Sequence, residues 1–154
     1  MFIAVINQST MVNNADVNTM CQAIQIQLNL HLLPAYNMKA GTVKFYADAT
    51  KVPGYAWVIS VLDNSTQAGA LGYHSEDNDK VDGYIFAQPV LSNAGVVLYD
   101  TINPQNVSVA SVLSHEICEN GAGIADALAE LLGVGRGDLE MLGRQLIDQR
   151  NRIV

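Results

Sequence analysis

The sequence predicts an α+β fold: a small mixed sheet, an N-terminal helix, a second helix around residue 115 and a helical C-terminal tail. Short segments rich in β-branched and aromatic residues, separated by polar turns, predict the strands. Apolar residues at helical spacing predict the helices. A change in composition after residue 121 divides the chain into a domain at residues 1–121 and a tail at residues 122–154.

The composition is that of a folded and acidic protein. Of the 154 residues, 49% are hydrophobic and only 15% are charged, which excludes an intrinsically disordered chain and suits one domain with a real core. The formal net charge is −7 at pH 7. Because binding to phosphates needs clustered lysine and arginine, this charge argues against nucleic acid as the main partner.

The first two elements are a strand and a helix. Residues 2–6 form an apolar run that polar residues terminate, which predicts a strand. A helix follows, with Asn14 or Asp16 as its N-cap, and Pro34 ends it. Its apolar positions recur at helical spacing and are expected in the core: Val17, Met20, Cys21, Ile24 and Leu28.

The middle of the chain predicts further strands. Residues 42–47 alternate in polarity, and residues 55–62 are rich in strand-forming residues. Small residues at positions 67–74 predict an extended segment that ends at His74. The polar residues 75–82 predict a turn before a last strand at residues 84–87.

The second helix carries the most informative motif of the chain, Ser114-His-Glu-Ile-Cys-Glu119. Val107, Val109, Val112, Leu113 and Ile117 mark the apolar face of this helix. One helical turn separates His115 from Glu119, so an imidazole and a carboxylate project from the same side and can bind one divalent ion.

This arrangement is similar to the H-E-x-x-H helix of zinc proteases, with glutamate in place of the second histidine. Zinc is therefore the expected metal, with His115 and Glu119 as candidate ligands and Glu116 as the candidate base. The alternative interpretation is ordinary solvated helix surface, because two side chains do not complete a metal site. A third ligand decides between the two.

The tail differs in kind from the rest of the chain. All ten aromatic residues lie at or before Tyr99, and all four arginines lie at or after Arg136. Residues 124–132 and 138–150 predict two helices, with Leu139, Leu142 and Leu146 along one side of the second. This leucine seam either packs on the body of the protein or pairs between subunits.

Cysteines and hydropathy indicate where the protein acts. Cys21 and Cys118 lie far apart and are expected to be buried free thiols. The first residues lack a basic leader and a cleavage site, and no apolar run reaches membrane-spanning length. We therefore expect a soluble protein in a reducing compartment, without a membrane partner.

Several segments together resemble one family of largely uncharacterised phage and bacterial proteins. They are Val5-Ile-Asn-Gln-Ser-Thr10, Leu33-Pro-Ala-Tyr36, Gln67-Ala-Gly-Ala-Leu-Gly-Tyr-His74 and residues 107–119. The hallmark of the family is the motif S-H-E-x-x-E, and the resemblance covers residues 1 to about 120.

The resemblance implies a zincin-like metallopeptidase fold. By position, it gives His115 and Glu119 the role of metal ligands and Glu116 the role of general base. Where the family usually has an Asp-Pro pair soon after the motif, this chain has Gly121-Ala-Gly123. Asp126 and His74 are the candidates for the third ligand.

Three classes of function are compatible with these observations. The first expectation is a virion-associated structural or assembly protein, built on a zincin-like domain and without demonstrable catalysis, whose partners are other virion proteins or further copies of itself, bound through the C-terminal helices. It would act in the virion or the host cytoplasm. The second is a metal-dependent peptidase or hydrolase that uses the motif helix. The third is a binding module with a structural metal in a closed ligand shell.

Overall fold

The computed structural model describes residues 1–35, 40–77 and 80–119. Within them the protein has the predicted α+β architecture, a mixed five-stranded sheet with helices. The helices expected in the tail, together with Asp126 and the leucine seam, lie outside the described residues. The division of the chain at residue 121 therefore stays a prediction.

Four of the five strands run parallel, and the fifth forms an antiparallel edge. The strands are β1 (Phe2–Asn7), β2 (Thr42–Tyr46), β3 (Trp57–Leu62), β4 (Gly72–Asp77) and β5 (Lys80–Phe86). Their order across the sheet is β2-β1-β3-β5-β4. The antiparallel strand is β4, which pairs with β5 alone and leaves its other side free of described strands.

The main hydrophobic cluster lies on one face of this sheet. Ile3 and Val5 of β1 are fully buried on this face, and Ala4, whose side chain alternates to the opposite face, is buried too. Ile59 and Val61 continue the same face on β3. Helical residues pack against them, including Val17, Met20, Cys21, Ile24 and Leu28, so the predicted apolar stripe of the first helix is confirmed.

The first helix, α1 (Asn14–Gln27), has a different cap from the one predicted. Asn13 is the N-cap, and its side chain accepts a hydrogen bond from the backbone N–H of Asp16 at 2.8 Å. Asn14 is the first helical residue and Asp16 lies in the first turn. The prediction failed by one residue because neighbouring asparagines have the same capping chemistry.

Helical backbone also continues further than Pro34 was expected to allow. A π-helical turn (Leu28–Leu32) follows α1, and a short helix, α2 (Leu33–Ala35), contains Pro34 itself. The N–H of Leu33 bonds to the carbonyl of Leu28, one residue further back than in an α-helix. Pro34 has no N–H to donate, and it is tolerated at the start of a new helical segment.

The segment from residue 67 to residue 87 departs most from expectation. Residues 67–70 form a turn, closed by a hydrogen bond from Ala70 N–H to the Gln67 carbonyl, and only the part from Gly72 onward is extended. Residues 75–77 and 80–82, predicted as a turn, belong to β4 and β5. Ala87, predicted as strand, begins the helix α3 (Ala87–Ser92).

The motif helix, α4, occupies residues 109–119 of the described chain. Val109, Val112, Leu113 and Ile117 are buried, as predicted. Val107 was wrongly assigned to this face, because it precedes the helix and is 44% exposed. Its backbone carbonyl instead accepts a hydrogen bond from Val96 N–H.

In the part of the chain that the structure describes, no helix has both the length and the apolar composition that crossing a membrane requires.

Candidate metal centre

Helix α4 begins with a reciprocal cap that sets its orientation. The backbone N–H of Ser111 donates to Ser108 Oγ, and the backbone N–H of Ser108 donates to Ser111 Oγ, both at 3.0 Å. This is the pattern of a capping box, with serine in the place of the usual glutamate. Ser108 is nearly fully buried, so the start of the helix is held against the domain.

Helix α4 also contacts the first helix, α1. Ser114 Oγ donates a hydrogen bond to Gln27 Oε1 at 2.7 Å. Cys118 lies one turn further along α4, and burial raises the pKa of its thiol although a hydrogen bond with Ser114 lowers it. Cys118 and Cys21 are both free thiols, as predicted, but Cys118 is only partly buried.

The edge strand β4 brings His74 to the motif. Gly72 and His74 lie two residues apart, so they share one face of the sheet. That face is the one against which α4 packs, because Gly72 lies beside Val112 and Glu116. His74 is opposite Gly83 of β5 in the antiparallel register.

His74 and Glu116 form the central contact of this site. The distance from His74 Nδ1 to Glu116 Oε2 is 3.1 Å, within hydrogen-bonding range. The Glu116 side chain is 7% exposed and that of His74 is 33% exposed. A buried carboxylate needs such a partner, because an unpaired charge in the interior is strongly unfavourable.

His115 and Glu119 lie on one side of α4, as their spacing predicts. His115 Nε2 is 3.2 Å from Glu119 Oε1. Both side chains are exposed, at 64% and 50% respectively. The pair therefore lies at the surface, where an i,i+4 ion pair contributes little to stability.

Three of these side chains converge. His74, Glu116 and Glu119 each offer a ligand atom, and these atoms all lie within 4.8 Å of one another. His115 contacts Glu119 but does not belong to this group. Asp126, the other candidate for a third ligand, lies outside the described residues.

The donor set suits a divalent ion. One imidazole nitrogen and carboxylate oxygens are ligands that zinc accepts, and two carboxylates balance the charge of a divalent cation. The group also has graded exposure, from the buried Glu116 to the half-exposed Glu119. A site of this kind leaves one side open to water, unlike the closed shell of a structural zinc.

The sequence indicated the four titratable residues of this site and the pairing of His115 with Glu119, but not the contact between His74 and Glu116. His74 was a candidate third ligand, and the structure places it beside Glu116. Glu116 was expected beside the metal ligands and free to act as a base, whereas its carboxylate is buried and belongs to the group of three. The signal that would have indicated this is the register of β4, which the polar composition of residues 75–82 concealed.

Comparisons with protein family models, with curated proteins and with solved structures found no match to this chain. The resemblance to the S-H-E-x-x-E family therefore stays an expectation that rests on residues 5–10, 33–36, 67–74 and 107–119.

Proposed function

We propose that this protein is a metal-dependent hydrolase whose divalent ion is held by His74, Glu116 and Glu119. The observation that supports the proposal is the convergence of these three ligand atoms within 4.8 Å of one another. Zinc is the metal we favour, because the set combines an imidazole with carboxylates. When bound at an open site, such an ion lowers the pKa of a coordinated water molecule.

The protein's own residues would divide the remaining work. Glu116, which contacts His74, is the most buried member of the group. His115 lies next to the group through its contact with Glu119 and is exposed to solvent. An imidazole in that position is accessible to a bound molecule, which suits a general base or acid.

The ligand set proposed here differs from the set that the family resemblance implies. In the family-type arrangement His115 and Glu119 bind the metal while Glu116 acts as base. In the arrangement favoured by the distances, Glu116 and His74 bind the metal together with Glu119, and His115 is not a ligand. The two arrangements predict opposite effects of replacing the two histidines.

Zinc titration of single-residue variants tests the proposal. We expect His74→Ala and Glu116→Gln to lose zinc affinity by at least about tenfold, whereas His115→Ala retains it. His31→Ala is the matched control, because His31 is exposed and belongs to no such group in the described residues. Activity is measured in parallel on a fluorescence-quenched peptide library with zinc added.

Three outcomes are informative. Loss of zinc in His115→Ala with full retention in His74→Ala would replace the proposed ligand set by the family-type one. Retention of zinc together with loss of turnover in Glu116→Gln would make Glu116 the base and not a ligand. A wild-type chain that binds no zinc would reject the metal-dependent hydrolase.

Assembly within a virion is a second candidate function. The observation that favours it is the difference in composition on the two sides of residue 121: all aromatic residues and lysines lie before it, and all arginines lie after it. A helix with the predicted leucine seam would be suited to contact another subunit. This function requires that removal of the tail abolish self-association.

A purely structural metal site is less favoured, because Glu119 and His74 are partly exposed.

A further inference from the structure

Gly72 lies where α4 packs against the edge strand. It is the first residue of β4, two positions before His74. Of the described glycines, Gly69 has a positive φ, whereas the backbone of Gly72 is one that other residues also adopt. The property that matters at Gly72 is therefore its missing side chain and not its conformational freedom.

A β-carbon at this position would meet three neighbours at once. Built ideally on the backbone, it would lie 3.0 Å from Glu116 Oε1, 3.0 Å from the Tyr84 carbonyl oxygen and 3.0 Å from Val112 Cγ1. These distances are shorter than ordinary van der Waals contacts. The Tyr84 carbonyl belongs to β5, so it cannot withdraw without disturbing the pairing of β4 with β5.

We infer that Gly72 is a positioning residue for the metal site, because its bare backbone lets the Glu116 carboxylate lie against the edge strand within reach of His74. This inference rests on the proposed function. The Glu116 side chain is the neighbour that can move, since the carbonyl is fixed by the sheet and Val112 by the core. A side chain at position 72 therefore drives the carboxylate away from His74.

Such a displacement matters because metal sites tolerate little change in the positions of their ligands. Ligand distances in bound sites fall within about 0.2 Å of their ideal values. Residues that orient ligands without touching the metal typically alter affinity by about 10–100-fold when they are replaced. Gly72→Ala should reduce zinc affinity within that range, although alanine carries no charge and removes no ligand.

The test compares three glycine-to-alanine variants of the full chain by zinc titration. Gly72→Ala should lose about 10–100-fold in zinc affinity. Gly41→Ala is the crowding control: its β-carbon would lie 3.0 Å from Leu28 Cδ2 and 3.1 Å from Leu33 Cδ1, in the core away from the site. Gly54→Ala is the neutral control, because a β-carbon there meets nothing within 4 Å. Both controls should keep wild-type affinity.

A double-mutant cycle separates positioning from general destabilisation. If Gly72 acts through Glu116, then Gly72→Ala should have no further effect on zinc affinity in a Glu116→Gln background. Should Gly72→Ala fail to fold, the double variant with Val112→Ala replaces it. That variant removes the Val112 contact and keeps the crowding against the carboxylate.

A metal-free measurement distinguishes failure of this inference from failure of the proposed function. The ring nitrogen shifts of His74, recorded by NMR with chelator present, report its contact with Glu116. Gly72→Ala should move them towards the shifts seen in Glu116→Gln, while Gly41→Ala leaves them unchanged. Unchanged His74 shifts in Gly72→Ala, or equal zinc loss in Gly72→Ala and Gly41→Ala, would overturn the inference. A wild type that binds no zinc would reject the proposed function and leave the NMR result to decide the role of Gly72.

Discussion

Replacing His74 with alanine is the perturbation whose effect the structure predicts most directly. The Glu116 carboxylate is 7% exposed and lies 3.1 Å from His74 Nδ1. Hydrogen bonds to charged groups contribute about 1.5–3 kcal/mol, and the loss of a partner also leaves the buried acceptor unsatisfied. Because His74 is itself one-third exposed and water can reach the contact, we expect a loss at the lower end, about 1.5 kcal/mol.

Urea unfolding with chelator present measures this loss in the metal-free protein. His115→Ala is the matched control, since its exposed i,i+4 pair with Glu119 should contribute about 0.3–0.5 kcal/mol. The double variant His74→Ala/Glu116→Gln should be more stable than His74→Ala alone, because an amide is less costly to bury without a partner than a carboxylate.

Two results would refute this reasoning. One is a His74→Ala protein as stable as the His115→Ala control. The other is additivity, in which Glu116→Gln destabilises the His74→Ala protein as much as it destabilises the wild type. Either result would mean that the carboxylate does not depend on His74 in the folded state.

Two further predictions concern other parts of the chain. Burial raises the pKa of Cys21 from its ordinary value of 9.0 to about 12, so the folded thiol keeps its proton where the unfolded thiol loses it. The stability from this protonated thiol is fully present below pH 9 and declines between pH 9 and 12. Urea unfolding at pH 8 and at pH 10 measures this decline. The free energy of unfolding should fall more between the two pH values for wild type than for Cys21→Ala. Truncation after Gly123 should reduce a defined oligomer to monomer in light scattering, if the tail mediates assembly. A wild-type monomer whose size and fold survive truncation would contradict that role, and an insoluble product would show that the tail belongs to the domain core.

Much of the fold could be predicted because its first elements have strong local patterns. The apolar run of β1 and the stripe of α1 each reflect burial on one side, and burial is what produces periodicity in a sequence. The helical motif was predictable for the same reason, since Val112, Leu113 and Ile117 face the core while His115 faces solvent. In each case, residues that are close in sequence determine whether the segment forms a strand or a helix.

The hairpin of β4 and β5 could not be predicted in this way. Its polar residues, such as Ser75 and Asp82, are typical of turns, yet they pair with each other in the antiparallel register. Strand preference depends on the neighbours that a residue acquires in the sheet more than on the residue itself. The position of His74 beside the motif helix depends on that pairing, so it too was hidden from the sequence.

The distinction between a local and a non-local metal site has a thermodynamic consequence. An ion held by His115 and Glu119 would engage one turn of helix, and such a turn can form transiently in the unfolded chain. An ion held by His74, Glu116 and Glu119 requires that β4 and α4 be packed together, which occurs only in the folded domain. Since a ligand stabilises a protein only by its preference for the native state, the non-local site transfers nearly all of its binding free energy to the folded domain, and the local one transfers less. The zinc dependence of the unfolding midpoint, compared with the measured zinc affinity, therefore reports whether α4 alone or α4 together with β4 holds the ion.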